Sequence, residues 1–211
     1  MIQLHNKDCF NAMLEMETEK YDLAIVDPPY GIKGGVNDTR KTVNSCKGNS
    51  IRNYKFLKYD QKPTKKYFLE LQRVSKNQII FGGNYFTDFL QPTRCFVVWD
   101  KMTYIPTMSQ IELAWTSFDR HTCYVKINSN QKNRIHINQK PVSLYKWLLQ
   151  KFAKQGNKIL DTHLGSGSIA LACHDMGYSL DGYELDTEYY EAACKRLREH
   201  QRQLQLFTLG E

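Results

Sequence analysis

The stretch Asp27-Pro28-Pro29-Tyr30 places a carboxylate, two rigid residues and an aromatic ring directly after the apolar run at residues 23–26. Asp27 precedes a proline, which favours an extended backbone, and the prolines offer carbonyl acceptors but no N–H donors. A carboxylate and a neighbouring carbonyl could hold both N–H groups of one planar amine, while Tyr30 provides a flat face for stacking. Such a clamp would favour a pyramidal nitrogen with its lone pair aimed at an electrophile.

A second group of residues has the composition of a nucleoside site. Asp161 ends an apolar run, Gly165 and Gly167 follow in a turn, and Glu184 ends the next apolar run. Glycines let the backbone approach a ligand closely, and an acid about 20 residues further on can accept hydrogen bonds from ribose hydroxyls. The third glycine of the dinucleotide fingerprint is absent. S-adenosylmethionine, a nucleoside with a sulfonium tail, fits this pattern better than a pyrophosphate ligand.

Buried strands and amphipathic helices must position these groups. Residues 23–26 form a continuous apolar run, which predicts a strand buried on both faces. Strands alternate with amphipathic helices along most of the chain, and Pro141 opens one of those helices. We therefore predict an α/β fold with a mostly parallel, doubly wound, Rossmann-like sheet. Residues 111–117 and 121–127 are interpreted as an antiparallel pair of strands.

Composition narrows the class of protein. The 211 residues and their hydrophobic share of 41% suit one folded domain spanning residues 1–211. No signal-length or membrane-length apolar run is present, and the six cysteines are scattered, so we expect a soluble, cytoplasmic protein without a disulfide framework or metal site.

The net charge of +7 is concentrated in one segment. Between residues 31 and 66, only Asp38 and Asp60 oppose ten basic residues: Lys33, Arg40, Lys41, Lys47, Arg52, Lys55, Lys58, Lys62, Lys65 and Lys66. We interpret this segment as a long loop insertion. A concentration of cations beside the acid–proline motif suits contact with a polyanion.

Together these motifs resemble the amino-methylating DNA methyltransferases, which make N6-methyladenine or N4-methylcytosine, in the circularly permuted order called the β class. The resemblance runs from about Gln3 to Leu197, and Asp27-Pro28-Pro29-Tyr30 matches the catalytic motif of the family. It implies S-adenosylmethionine as cofactor and DNA as partner. Aspartate at the first motif position favours adenine, because enzymes acting on cytosine more often have serine there.

The resemblance also assigns residues to the cofactor. Asp8 and Phe10 would border its adenine, Glu184 would bind the ribose, and Lys140 with its neighbours would lie near the methionine moiety. The complete set implied for cofactor binding is Asp8, Phe10, Gln139, Lys140, Pro141, Asp161, His163, Gly165, Ser166, Gly167 and Glu184. His163 stands where the family commonly has phenylalanine, so we expect it to pack rather than take part in chemistry. Tyr30, with Phe86 or Trp99, would hold the flipped base.

One departure concerns DNA recognition. Only about two dozen residues separate the strand near residues 111–115 from the Gln139-Lys140-Pro141 segment, so there is no room for a large recognition domain. The basic segment at 31–66 would then carry much of the DNA contact. Cytosine N4, RNA and a glutamine amide remain alternative methyl acceptors, and a catalytically silent DNA-binding subunit is an alternative of another class. Homodimerisation and a restriction partner stay open.

Overall fold

The computed structural model describes residues 1–32, 61–104, 109–131, 134–136 and 138–208. Most of the predicted basic loop therefore lies outside the described residues. Within them the chain forms eight strands, five α-helices and a short 3₁₀ helix at Gly83–Tyr85. The strands and α-helices are β1 (Ile2–His5), α1 (Cys9–Leu14), β2 (Tyr21–Val26), α2 (Lys65–Val74), β3 (Ser75–Phe81), β4 (Phe96–Asp100), β5 (Ile111–Thr116), β6 (Cys123–Lys126), α3 (Val142–Phe152), β7 (Lys158–Asp161), α4 (Ser168–Asp175), β8 (Ser179–Tyr183) and α5 (Thr187–Thr208).

The strands form one sheet in the order β1-β8-β7-β2-β3-β5-β4-β6. Neighbouring strands from β1 through to β3 are parallel, whereas β5 runs antiparallel to both β3 and β4. β6 pairs with β4 in parallel. The prediction of a mostly parallel α/β sheet is therefore confirmed.

The predicted pairing of β5 with β6 is wrong, because β4 lies between them. The six-residue link between β5 and β6 passes the start of β4, where side chains at both ends of the link hold it. The hydroxyl of Thr116 donates to the Cys95 carbonyl at 2.7 Å, and that of Thr122 donates to the Arg94 carbonyl at 3.0 Å. The pattern of apolar residues predicted where the strands lie in the sequence, but it did not predict their order in the sheet.

The central strand β2 is covered on both faces. Leu23 and Ile25 pack into a cluster with residues of α3 and α4, while Ala24 and Val26 pack into a second cluster with α1 and α2. Successive side chains of a strand point to opposite faces, so a continuous apolar run is what two covered faces require. Among the described residues, no helix combines the length and apolar character needed to cross a membrane.

The sheet order explains how distant motifs meet. β2 lies directly between β7 and β3, although β7 follows β2 by more than a hundred residues. The carboxyl ends of β2 and β7 therefore lie side by side, and β8 follows next to β7. In open α/β sheets, this edge is where ligands bind.

Candidate active site

The carboxyl edge of the sheet gathers three acids predicted to act on ligands. Asp27 follows β2, Asp161 ends β7 and Glu184 follows β8. Asp161 and Asp27 are close enough for the charge of Asp27 to raise the pKa of Asp161. The structure thus brings the acid–proline motif and the glycine turn to one place, as their positions at strand ends require.

Asp27 lies in a compact cluster of charged and polar groups. Its Oδ1 accepts a hydrogen bond from the Tyr30 hydroxyl at 2.7 Å, and its Oδ2 contacts the Lys140 Nζ at 2.6 Å. Only 19% of the Asp27 side chain is exposed. Burial raises the pKa of Asp27 above its usual range, although Lys140 and Tyr30 oppose that shift.

Lys140 joins this cluster to a second carboxylate. Its ammonium lies 2.6 Å from Asp27 and 2.7 Å from Glu112 Oε1, and 4.4 Å from the centre of the Phe81 ring. Burial would lower the pKa of Lys140, but the two carboxylates outweigh that effect and raise it. The resemblance placed Lys140 near the methionine moiety of the cofactor, and that role stays a prediction. Its position against Asp27 is a contact that the sequence did not indicate.

Glu112 lies near the start of β5 and was not singled out from the sequence. It accepts a hydrogen bond from the Tyr30 hydroxyl at 3.0 Å, and its Oε2 lies 3.5 Å from the Lys101 Nζ. Burial would raise the pKa of Glu112, but Lys140 and Lys101 outweigh burial and lower it. A lone acid inside the apolar strand 111–116 was the only available signal.

The ring of Tyr30 has aromatic neighbours. Tyr85 stacks on it with centroids 4.9 Å apart and planes at 18°, and Phe86 meets it edge-on at 6.0 Å. Tyr85 is 38% exposed, whereas Phe86 is fully buried. Trp99 does not join this group: it is buried in the core cluster that contains α3, and its indole N–H donates to the Ile127 carbonyl. Tyr85, which the sequence reasoning did not single out, stacks on Tyr30, whereas Trp99 does not contact it.

The glycine turn has the backbone that its residues predict. Gly165 and Gly167 have φ angles of +51° and +70°, a region that L side chains rarely adopt. The carboxylate of Glu184 accepts hydrogen bonds from the Gly165 N–H at 2.8 Å and from the Asp186 N–H at 2.9 Å. Glu184 thereby reaches the turn, as a shared nucleoside site requires.

The turn is also held from α5. The Arg196 Nη1 donates to the Ser166 carbonyl and to the Ser168 hydroxyl, both at 2.9 Å. The Ser166 and Ser168 hydroxyls lie 3.1 Å apart and both residues are buried. Arg196 was not singled out from the sequence, because a single arginine on an amphipathic helix carries no signal of this contact.

Asp161 is buried beside the turn, and His163 is partly buried there. Asp161 Oδ1 accepts the His163 N–H at 3.0 Å, and burial raises the pKa of Asp161 to about 8. Burial lowers the pKa of His163 to about 4. The His163 Nδ1 lies 2.9 Å from the Thr162 hydroxyl, and the Tyr67 ring meets the imidazole edge-on at 5.5 Å. These contacts agree with the packing role expected for His163.

The remaining predicted residues surround the same edge. Asp8 caps α1 by accepting the Asn11 N–H at 2.8 Å, and Phe10 packs against the core cluster of α1 and α2. Gln139 is buried and bonded to Gln131 at 3.0 Å, and Pro141 is the N-cap of α3.

His136 was missed by the sequence reasoning. A Cβ added to Gly165 would lie 3.7 Å from the ring of His136, which places this imidazole directly over the glycine turn. His136 meets the Tyr189 ring with centroids 4.5 Å apart. Burial lowers the pKa of His136 to about 4. A neutral imidazole therefore covers the turn at neutral pH.

A family model described as DNA methylase, N6_N4_Mtase, matches residues 53–195, more than half of the chain. The chain therefore belongs to the N6/N4 family of DNA methylases, and the resemblance stated from its motifs is confirmed at this level.

Individual relatives agree with the family. The type II methyltransferases M.HpaI of Haemophilus parainfluenzae and M.HindIII of Haemophilus influenzae are 32% and 36% identical over 68 and 73 residues. These alignments cover 32% and 35% of this chain, and the chain spans only 22% and 23% of those relatives. The "putative methylase YubD" of Escherichia coli is 25% identical, with 94% of this chain and 91% of YubD covered.

Solved structures share the fold. The chain matches the M1.HpyAVI–SAM complex with a TM-score of 0.63 at 21% identity, covering 93% of this chain and all of that one. It matches the cytosine-N4-specific PvuII DNA methyltransferase with a TM-score of 0.63 at 11% identity, covering 92% of this chain and 85% of that one.

Proposed function

We propose that this protein transfers a methyl group from S-adenosylmethionine to the N6 amine of adenine in DNA. The observation that carries this proposal is the position of Asp27, a largely buried carboxylate beside the stacked Tyr30 ring and at the same sheet edge as the glycine turn. An amine acceptor, an aromatic platform and a nucleoside turn are the three parts that amine methylation of a base needs. Family membership and the SAM complex of M1.HpyAVI support the choice of cofactor and reaction.

The residues at the edge fit this cofactor. The backbone of the turn carries no side chain at Gly165 and Gly167, so its N–H groups are accessible to a close ligand, and Glu184 lies beside the turn as a proposed ribose acceptor. Asp161 adds a buried carboxyl group whose pKa is raised to about 8, so a bound cationic sulfonium or ammonium would favour its ionised form. When bound, S-adenosylmethionine supplies an electrophilic methyl carbon, whose bond to sulfur breaks with its electrons left on sulfur.

Asp27 would act on the amine of the target base. Its carboxylate accepts an N–H of the amine, which directs the nitrogen lone pair towards the methyl carbon, and it receives the proton that the methylated nitrogen sheds. The rings of Tyr30 and Tyr85 provide the stacking surface, with alanine substitution expected to cost about 1–3 kcal/mol per stacked base. The base must leave the duplex stack to reach this edge.

The choice of adenine depends on Asp27, because serine is more common at this position in enzymes that act on cytosine. Cytosine N4 is the second candidate, and the shared fold with the cytosine-N4-specific PvuII enzyme favours keeping it. DNA contact is assigned to the basic segment at 31–66, where cations would neutralise phosphates without reading sequence. In this proposal, residues 1–211 form a single methyltransferase domain.

The test is a transfer assay with labelled S-adenosylmethionine and unmethylated DNA, followed by digestion to nucleosides. Label in N6-methyladenine is the expected result. Label in N4-methylcytosine would instead identify cytosine as the methyl acceptor. Asp27→Asn should abolish transfer while the dissociation constant of the cofactor stays within about threefold, since the side chain keeps its size. Cofactor binding without transfer to any nucleic acid by the unaltered protein would refute the proposal.

A further inference from the structure

Two carboxylates in the active site share the same two hydrogen-bond donors. The Tyr30 hydroxyl lies 2.7 Å from Asp27 Oδ1 and 3.0 Å from Glu112 Oε1. The Lys140 ammonium lies 2.6 Å from Asp27 Oδ2 and 2.7 Å from the same Glu112 oxygen. Glu112 therefore contacts the same two donors as Asp27, the carboxylate proposed to accept the amine of the target base.

The two donors differ in how they can divide their protons. An ammonium has three N–H groups and can serve Asp27 and Glu112 together, but a tyrosine hydroxyl has a single proton and fully serves only one acceptor at a time. The hydroxyl of Tyr30 thus has two alternative acceptors within hydrogen-bond distance. When its proton is directed to Glu112, Asp27 has one lone pair more for another donor.

We propose that Glu112 is a positioning residue for the transfer reaction: it takes the Tyr30 hydroxyl proton from Asp27, and shares the Lys140 ammonium with it, when Asp27 accepts the amine of the target base. This inference rests on the proposed function. Each donor that Glu112 takes over makes Asp27 a stronger acceptor, and no buried donor is left without a partner during the exchange.

The balance of charges in the cluster also supports a role for Glu112 in the transfer reaction. Asp27 and Glu112 balance Lys140 and Lys101, whose Nζ lies 3.5 Å from Glu112 Oε2. Removal of the Glu112 charge would leave a net positive charge beside the nitrogen that becomes positive during methyl transfer. Because fixed charges act strongly in a desolvated site, that change opposes the reaction.

The groups around Asp27 show how the charge of Glu112 affects its pKa. The ionisable groups that face it or sense its charge come from the segment after β2, from β5, from the segment before α3, from β7 and from α2 and α3: Tyr30, Glu112, Lys140, Asp161, Tyr67 and Tyr145. Burial raises the pKa of Asp27 most, Lys140 lowers it and Glu112 raises it. Loss of the Glu112 charge therefore lowers the pKa of Asp27.

The experiment is the pH dependence of the single-turnover rate of methyl transfer in the unaltered protein, Glu112→Gln and Glu112→Asp. Activity requires ionised Asp27, so the acidic limb of the profile reports its pKa. Glu112→Gln should lower the plateau rate by about tenfold and move the acidic limb to lower pH. Glu112→Asp keeps the charge, so its limb should stay where it is in the unaltered protein. Glu199→Gln, an exposed glutamate on α5, is the matched control.

A second variant keeps the test independent of how Glu112→Gln folds. Tyr30→Phe keeps the stacked ring but removes the hydroxyl, whose hydrogen bond lowers the pKa of Asp27, so its limb should move to higher pH. Opposite shifts in the two variants support the inference. A limb that stays in place in Tyr30→Phe, or in a folded Glu112→Gln protein, overturns it while leaving the proposed function intact. An unaltered protein that transfers no methyl group would instead reject the proposed function.

Discussion

A side chain at Gly82 is predicted to displace the ring of Tyr30. The φ angle of Gly82 is +66°, and a Cβ added there would lie 2.2 Å from Tyr30 Cε1 and 2.5 Å from Tyr30 Cζ. Non-bonded carbon atoms do not approach so closely, so Gly82→Ala must displace the tyrosine ring. The hydroxyl that bonds Asp27 moves with the ring.

The size of this displacement sets the expected loss. To restore an ordinary contact of about 3.4 Å, the Tyr30 ring must move by roughly 1.2 Å, which displaces the surface proposed to stack on the target base. Misplacement of catalytic groups by about 1 Å costs roughly a hundredfold in rate. The left-handed backbone adds a loss of about 1–2 kcal/mol in the free energy of unfolding for any residue other than glycine.

Gly156→Ala separates these two effects. Gly156 also has a left-handed φ angle, +84°, but an added Cβ would meet no atom within 4 Å. Chemical denaturation and single-turnover assays on both variants should show similar losses from the backbone and a rate loss of about a hundredfold only in Gly82→Ala. If Gly82→Ala turns over as fast as Gly156→Ala, then the position of Tyr30 does not control the reaction and the reasoning fails.

Three further predictions concern the cofactor side of the site. Asp161 has a pKa of about 8 when folded, above its value of about 3.8 when unfolded, so its contribution to stability is lost as the pH rises through 8. Asp161→Asn should therefore unfold at a higher temperature than the unaltered protein at pH 9, yet bind cofactor more weakly in calorimetry. His163 has a pKa of about 4 when folded, so stability falls as the pH drops below 6.5, by about 2 kcal/mol at pH 5. His163→Phe should remove that loss in denaturation measured at pH 5 and 7. Arg196→Met should weaken cofactor binding about tenfold, because the glycine turn loses two hydrogen bonds, whereas Arg198→Met should not.

Local chemistry made part of the site predictable. The apolar run before Asp27, the prolines after it and the glycines at 165 and 167 each impose a conformation through their own residue types. Parallel sheets then place strand ends at one edge, so Asp27, Asp161 and Glu184 could be expected together. All of these signals lie within a few residues of the groups that they position.

Contacts between distant segments could not be predicted in the same way. Lys140 precedes α3 and reaches Asp27 across 113 positions of the chain, and no local pattern records that distance. Tyr85 was missed and Trp99 was misplaced for a related reason. An aromatic residue within a strand, like Trp99, or shortly after one, like Tyr85, can face the site or the core, and only the packed neighbours of β3 and β4 decide which.

Glu112 shows most clearly why the direction of a strand matters for this site. In parallel strands the active residues follow the strand, but β5 is reversed, so its first residues, Ile111 and Glu112, lie at the carboxyl edge. In its antiparallel register with β4, Glu112 lies opposite Trp99. A slip of one residue would turn Glu112 to the other face of the sheet and remove it from Lys140 and Tyr30. The antiparallel strand is therefore what adds a second carboxylate to an edge where parallel strands supply the first, and its register fixes which donors the two carboxylates share.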